Sequence, residues 1–177
     1  KFSDKSVQAV TAAQACHWFD LEPFFTEVER ILVPGGILAL YGYSFPKPLY
    51  EDKSEELIKL VDDFYNNKTG GYWGERRKDV DDEYRHDKYH IPFEDFHRDD
   101  AHYIDKKATV QELTGYLSSW SGFQNFKRKN GDELANNMLK NFKKNVMEVL
   151  DVSTLPEETI ITLRFHFFLL LGRKSTT

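Results

Sequence analysis

The sequence predicts an α/β fold on a partly parallel sheet, and three observations carry the prediction. A short apolar run, SVQAVTAA, spans Ser6 to Ala13; a second, Ile37 to Tyr41, follows an amphipathic stretch; and a long alternating run extends from Ile161 to Leu171. Runs of this length and apolarity are what strands covered on both faces require. With 177 residues, 40% hydrophobic and 15% aromatic, the chain has material for a sizeable core and the length of one domain. Cys16 is its one cysteine. An internal disulfide is therefore excluded, and a reducing, cytoplasmic compartment is the expectation. The net charge of -5 offers no electrostatic pull toward nucleic acid, so no nucleic-acid partner is expected. Phe167 to Leu171, an unbroken apolar run near the C-terminus, is far too short to cross a bilayer, and no membrane partner is expected either.

Taken in order, the first strand runs from Ser6 to Ala13. Asp20 then stands where a helix N-cap belongs, Pro23 fits the first turn, and Phe24, Phe25, Val28, Ile31 and Leu32 recur at helical spacing. Pro34-Gly35-Gly36 should stop that helix and release the strand Ile37 to Tyr41, giving a right-handed parallel crossover. A helix starting near Ser54 carries Leu57, Ile58, Val61, Phe64 and Tyr65 on one face. Asn66 to Asp105 shows no sustained period and reads as an irregular excursion with at most one strand, near Phe96 to Ile104. So long an irregular segment is unusual in a compact domain unless it lines a site. Thr109 and Glu112 have capping-box spacing ahead of two short helices that bend near Ser121-Gly122. Asp132 is expected to cap a further helix striped by Leu134, Met138, Leu139, Phe142, Val146 and Leu150. The alternating run Ile161 to Leu171 closes the chain as an internal strand.

The string SVQAVTAAQACHWFD followed by LEPFFTEVERILVPGGILALYGY resembles the fourth strand, fourth helix and fifth strand of class I methyltransferases that use S-adenosylmethionine. YWGERRKDVDDEYR, IPFED, LTGYLSSWSGFQNF and the closing FHFFLLLGRK are similar to the C-terminal region of the enzymes related to trans-aconitate methyltransferase. The resemblance implies a Rossmann-like α/β sheet, here strands four to seven, in a single domain over residues 1–177 with lid and substrate-region insertions within 44–150. The Gly-rich loop and the acidic strand end that hold the cofactor in that family lie outside the matching residues. Gly35-Gly36 and Gly70-Gly71 do not follow an apolar strand that opens into a helix, so neither supplies such a loop. The chain is accordingly expected to be the C-terminal portion of a longer domain, with its first strand an unpaired edge prone to self-association.

Ala13, Gln14, His17 and Trp18 follow the carboxyl end of the first strand, where open α/β sheets bind ligands. By resemblance they flank S-adenosylmethionine, and an aromatic face such as Trp18 suits a sulfonium cation. The plainer alternative makes Trp18 core and His17 a packing residue. Tyr43, at the end of the next strand, belongs to the same rim. Trp73, Arg76, Arg77 and Tyr84 fall in the segment that the resemblance makes a lid. Paired arginines clamp a carboxylate in bidentate fashion, although the surrounding Glu75, Asp79, Asp81 and Asp82 also fit a solvated charge run. Trp120 joins the substrate candidates on the same basis, against a core reading. His86 and His90 are four apart, with His97 and His102 beyond, but Lys88 and Arg98 beside them argue against a cation, and no metal is expected. HRDD at His97 lacks the downstream partners of a kinase loop, and Cys16 reads as a packing residue.

The activity that the resemblance implies is methyl transfer to a small-molecule acceptor, a small carboxylic acid being the one expected. A carboxylate is already nucleophilic and needs alignment more than a base. For a hydroxyl acceptor, His17 would be the catalytic base. The contrasting expectation is a non-catalytic binding or assembly module that lacks the cofactor loop.

Overall fold

The structure, a computed structural model, describes residues 2–176, which divide into two compact units. Among the described residues the first comprises 2–45, 75–104 and 166–176 and the second 46–74 and 105–165. The elements are β1 (Val7–Ala13), α1 (Leu21–Ile31), β2 (Leu32–Tyr43), β3 (Lys47–Leu49), α2 (Ser54–Asp63), α3 (Arg77–Asp81), β4 (Asp95–Thr109), α4 (Val110–Ser118), α5 (Ser121–Asn130), α6 (Asp132–Leu150) and β5 (Ile160–Arg173). The strands form one mixed sheet in the order β1-β2-β5-β3, and β4 also pairs with β5. Five strands therefore stand among the described residues where the resemblance implied four.

In the first unit β1 and β2 are parallel, with α1 between them in sequence, as the crossover reading required. The turn at Pro34-Gly35-Gly36 takes a different form from the expected helix stop. Already at Leu32 the backbone is extended (φ -68°, ψ 136°), so β2 begins there and the glycines fall inside it. Val7 pairs with Leu32 and Ala9 with Ile37, so β2 bulges between these pairs. Gly35 makes the bulge with φ 76°, a conformation in which a side chain would be strained, and its N–H donates to the Lys174 carbonyl at 3.1 Å. β1 pairs with β2 alone among the described strands, the edge that the resemblance implied, but it is less covered than its apolar run suggested: of its residues only Ala12 is buried. An edge strand has one neighbour and correspondingly less cover, whatever its apolar content.

β2 runs antiparallel to the C-terminal half of β5, Leu38 facing Gly172 and Leu40 facing Leu170. Leu38, Leu40, Phe168 and Leu170 are buried in one cluster with Val28, Leu32, Tyr84, Tyr89 and Ile91. Each such apolar side chain removed from water stabilises the unit by about 1.5–3 kcal/mol. The irregular excursion supplies part of this core, because Val80, Tyr84, Tyr89, Ile91 and Phe93 all come from it. Its strand is longer than expected, Asp95–Thr109.

The second unit is largely helical. Thr109 caps α4 through a complete capping box with Glu112. A bend separates α4 from α5 as the sequence suggested, but at Ser119-Trp120, with Ser121 and Gly122 already in the first turn of α5. Gly131, with φ 91°, precedes α6, and Asp132 is its first residue, without the expected side-chain cap. Ala135, Phe142, Val146 and Leu150 are the buried residues of α6, while Leu134 is exposed because it lies off that face. β3 pairs antiparallel with the N-terminal half of β5, Pro48 facing Leu163. No helix of the described residues is long and apolar enough to cross a membrane.

Candidate active site at the carboxyl end of the first strand

After Ala13 the backbone leaves the sheet through Gln14, whose φ is 50°. The Gln14 N–H donates to the Tyr41 carbonyl at 2.7 Å. Its side-chain amide then continues the ladder: Nε2 donates to the Tyr43 carbonyl at 3.1 Å, and Oε1 accepts from the Tyr43 N–H at 3.0 Å. Gly42 permits this approach, since a Cβ there would lie 2.5 Å from Gln14 Oε1 and 2.4 Å from Phe168 Cζ. The expected cofactor contact Gln14 thus spends its amide on tying the end of β1 to Tyr43.

One 3-10 turn follows at Cys16–Trp18. It buries Cys16 completely, leaves His17 9% exposed and sends Trp18 outward, 63% exposed. Two elements of the excursion hold the turn. Arg76, just before α3, donates from Nη1 to the His17 carbonyl at 3.1 Å, and its guanidinium lies 5.8 Å from the Trp18 ring centre. Tyr84, just after α3, places its hydroxyl 2.7 Å from His17 Nδ1. Glu83 and Tyr84 both adopt left-handed backbone, with φ of 53° and 54°, conformations that bulky residues rarely take. The Tyr84 ring, 1% exposed, stacks on Tyr89 at 4.6 Å and meets Phe168 edge-on at 5.1 Å.

These contacts set the electrostatics. Burial pushes the Cys16 thiol up to about 11, so it stays protonated and unreactive at neutral pH. Burial also lowers the His17 imidazole below its ordinary 6.5; the charges of Arg77 and Arg76 add to this and Asp79 opposes it. The Tyr84 phenol is driven far above its usual range, again chiefly by burial. At neutral pH the cluster therefore holds a thiol, a phenol and a neutral imidazole. Burial works against ionisation of Asp79, but hydrogen bonds with Lys88 and Tyr89 outweigh it and keep the carboxyl below its usual range.

Of the residues singled out from the sequence, Ala13, Gln14, His17, Trp18, Tyr43, Arg76, Arg77 and Tyr84 all belong to the first unit. Arg77 has its own partners, donating from Nε to Asp81 Oδ1 at 2.9 Å and lying 4.1 Å over the Phe45 ring. Tyr84, expected to touch substrate, is instead core and reaches His17. Trp73 and Trp120 belong to the second unit. Trp120 is 5% exposed and packs 5.9 Å from Trp73, as an aromatic at helical spacing does in a core. Trp73 Nε1 donates to Thr69 Oγ1 at 3.2 Å. Sequence reasoning passed over Asp79 and Tyr89, because a charge run gives no sign of which member folds inward. Among the described residues no three His, Cys, Asp or Glu side chains converge as metal ligands.

Comparison with known proteins adds to this geometry. Residues 1–40, which hold β1, the 3-10 turn, α1 and most of β2, match the family model described as a methyltransferase domain. A candidate methyltransferase of Dictyostelium discoideum is 30% identical over 173 residues, 96% of this chain and 60% of the relative. The chain thus spans about three fifths of the length of that relative. A solved structure of a candidate type II methyltransferase from Anaeromyxobacter dehalogenans superposes with a TM-score of 0.76 at 24% identity, over 99% of this chain and 68% of the other. The described residues have the α/β fold of Rossmann-like class I methyltransferases.

Proposed function

We propose that the protein is an S-adenosylmethionine-dependent methyltransferase and that its acceptor is a small carboxylic acid. The observation that carries this reading is the cluster of His17, Trp18 and Arg76 at the carboxyl end of a parallel strand, within or beside the segment that matches the methyltransferase model. Ligands of open α/β sheets bind at such strand ends. The cofactor fits what this chain offers there: the exposed Trp18 indole presents an aromatic face to adenine or to a sulfonium. When bound, S-adenosylmethionine supplies an electrophilic methyl group that an acceptor oxygen takes in line, with the C–S electron pair staying on sulfur.

The residues of the chain have a positioning task. Arg76 spends one N–H on the His17 carbonyl and is otherwise exposed, so it has donors left for a carboxylate. Arg77 is committed to Asp81 and Phe45, which makes Arg76 the stronger of the two candidates. Tyr43, held by Gln14, fixes the rim between β1 and β2. A carboxylate acceptor loses no proton on methylation and needs no base, only alignment and exclusion of water.

The test is a calorimetric titration with S-adenosylmethionine, followed by transfer of labelled methyl to small carboxylic acids, alcohols and amines. Binding, and label in carboxylic acids that is lost in Arg76→Ala, is the expected result. Label confined to alcohols or amines would overturn the acceptor class, and no label in any acceptor would overturn the activity.

A further inference from the structure

The Tyr84 hydroxyl is the one polar side-chain group in hydrogen-bonding contact with the His17 ring among the described residues, and its geometry bears on what His17 can do. This inference rests on the proposed methyltransferase reading and names the part played by His17 and Tyr84 within it.

A phenol has one hydrogen to give. Around the Tyr84 oxygen stand the His17 backbone N–H, the Cys16 thiol and His17 Nδ1. The backbone N–H can only donate, and a thiol is a weak partner in either direction. In the Nε2–H tautomer His17 Nδ1 is the one good acceptor of the three, and the only one to which the phenol can give its hydrogen in a strong bond. The separation of 2.7 Å is that of a well-formed hydrogen bond. The hydroxyl is also locked in place, with its ring buried between Tyr89 and Phe168 and its backbone held in the left-handed region. His17 Nε2 makes no hydrogen bond among the described residues and is absent from the buried polar atoms that lack a partner, so solvent or a ligand can reach it.

We infer that Tyr84 donates its hydroxyl hydrogen to His17 Nδ1 and thereby holds His17 in the Nε2–H tautomer, so that His17 offers the acceptor a hydrogen-bond donor instead of a base. Tyr84 is thus a positioning residue that acts through His17. A neutral N–H on the residue whose carbonyl Arg76 holds suits an anionic acceptor: one carboxylate oxygen is held while the other is free to attack. An alcohol, which must lose its proton, finds no acceptor lone pair on that ring. On this inference His17 acts as a donor where the sequence expectation made it a base for a hydroxyl acceptor.

The test reads the tautomer directly, by nitrogen-15 NMR of the His17 ring in the unsubstituted protein and in Tyr84→Phe through a pH titration. The groups that bear on His17 are Arg77, Asp79 and Arg76, besides Tyr84 and Cys16, and none but Tyr84 is altered. The expected result is a proton on Nε2 in the unsubstituted protein, and in Tyr84→Phe an upward shift of the His17 pKa. The sign follows because a donor to Nδ1 stabilises the neutral ring alone. A proton on Nδ1 would overturn the inference, as would a His17 pKa that falls or stays unchanged in the variant. The unsubstituted protein gives an answer even where Tyr84→Phe does not fold. Neither reading depends on methyl transfer, so failure here and failure of the proposed activity are distinguishable.

Discussion

Trp18 and His17 are neighbours in sequence with opposite environments, one exposed and one nearly buried, because a single 3-10 turn points successive side chains in different directions. Replacing Trp18 with Ala should therefore leave unfolding in urea within about 0.5 kcal/mol of the original. It should at the same time weaken S-adenosylmethionine binding measurably by calorimetry. A large loss of stability would mean that the indole belongs to the fold. His17 predicts a pH dependence. Its folded-state pKa lies below the ordinary 6.5, so the unfolded chain takes up the proton first as pH falls. The stability it contributes is complete above about 6.5 and is lost as pH drops through the lower folded value. In urea titrations across that window, His17→Gln should show a shallower decline than the original, and equal slopes would refute the assignment. Both residues were legible in the sequence because a polar-aromatic pair directly after an apolar strand falls at a ligand-binding position. Their division of labour was not legible, since it depends on Tyr84 and Arg76, which lie 67 and 59 residues away.

At the scale of elements, the capping box of α4 could be read as a local pattern, because its partners lie three residues apart and their chemistry is complete without the rest of the chain. Thr109→Ala should cost about 1 kcal/mol, measured by urea unfolding, and Thr109→Ser should restore most of it. Gly122 presents a different case. A Cβ at this position would fall 2.4 Å from the Trp73 ring, which stacks into the start of α5. Gly122→Ala should displace that indole and destabilise the protein by roughly 1–3 kcal/mol, visible as a change in tryptophan fluorescence as well as in the unfolding midpoint. An unchanged spectrum would show that Trp73 is free to give way. The sequence marked Gly122 as a bend and no more, because the residue that needs its missing side chain comes from a distant segment. β2 shows the same limit: proline and two glycines signal a turn, but only pairing with β1 and the hydrogen bond to Lys174 make it a bulge within a strand.

For the molecule as a whole, the sheet order leaves β1 with one described neighbour, and an open parallel edge is a template for another strand. We propose that the 177-residue chain self-associates through this edge. Sedimentation velocity should show concentration-dependent association that Ala9→Lys reduces, and a monomer at every concentration would sink the proposal. The sequence by itself determined the longer helices, the capping box of α4, the parallel crossover and the internal place of β5, because hydrophobic period, caps and turn residues act over a few positions. Only the tertiary structure decided which residues of the excursion fold inward and that Tyr84 is core. It alone showed that Arg76 braces the turn that presents His17 and Trp18. Those choices follow from burial and hydrogen-bond partners far apart in the chain. The local pattern of a charged and aromatic segment is equally compatible with solvent, with core and with a site, and only packing against β5 and the end of β1 resolves the three.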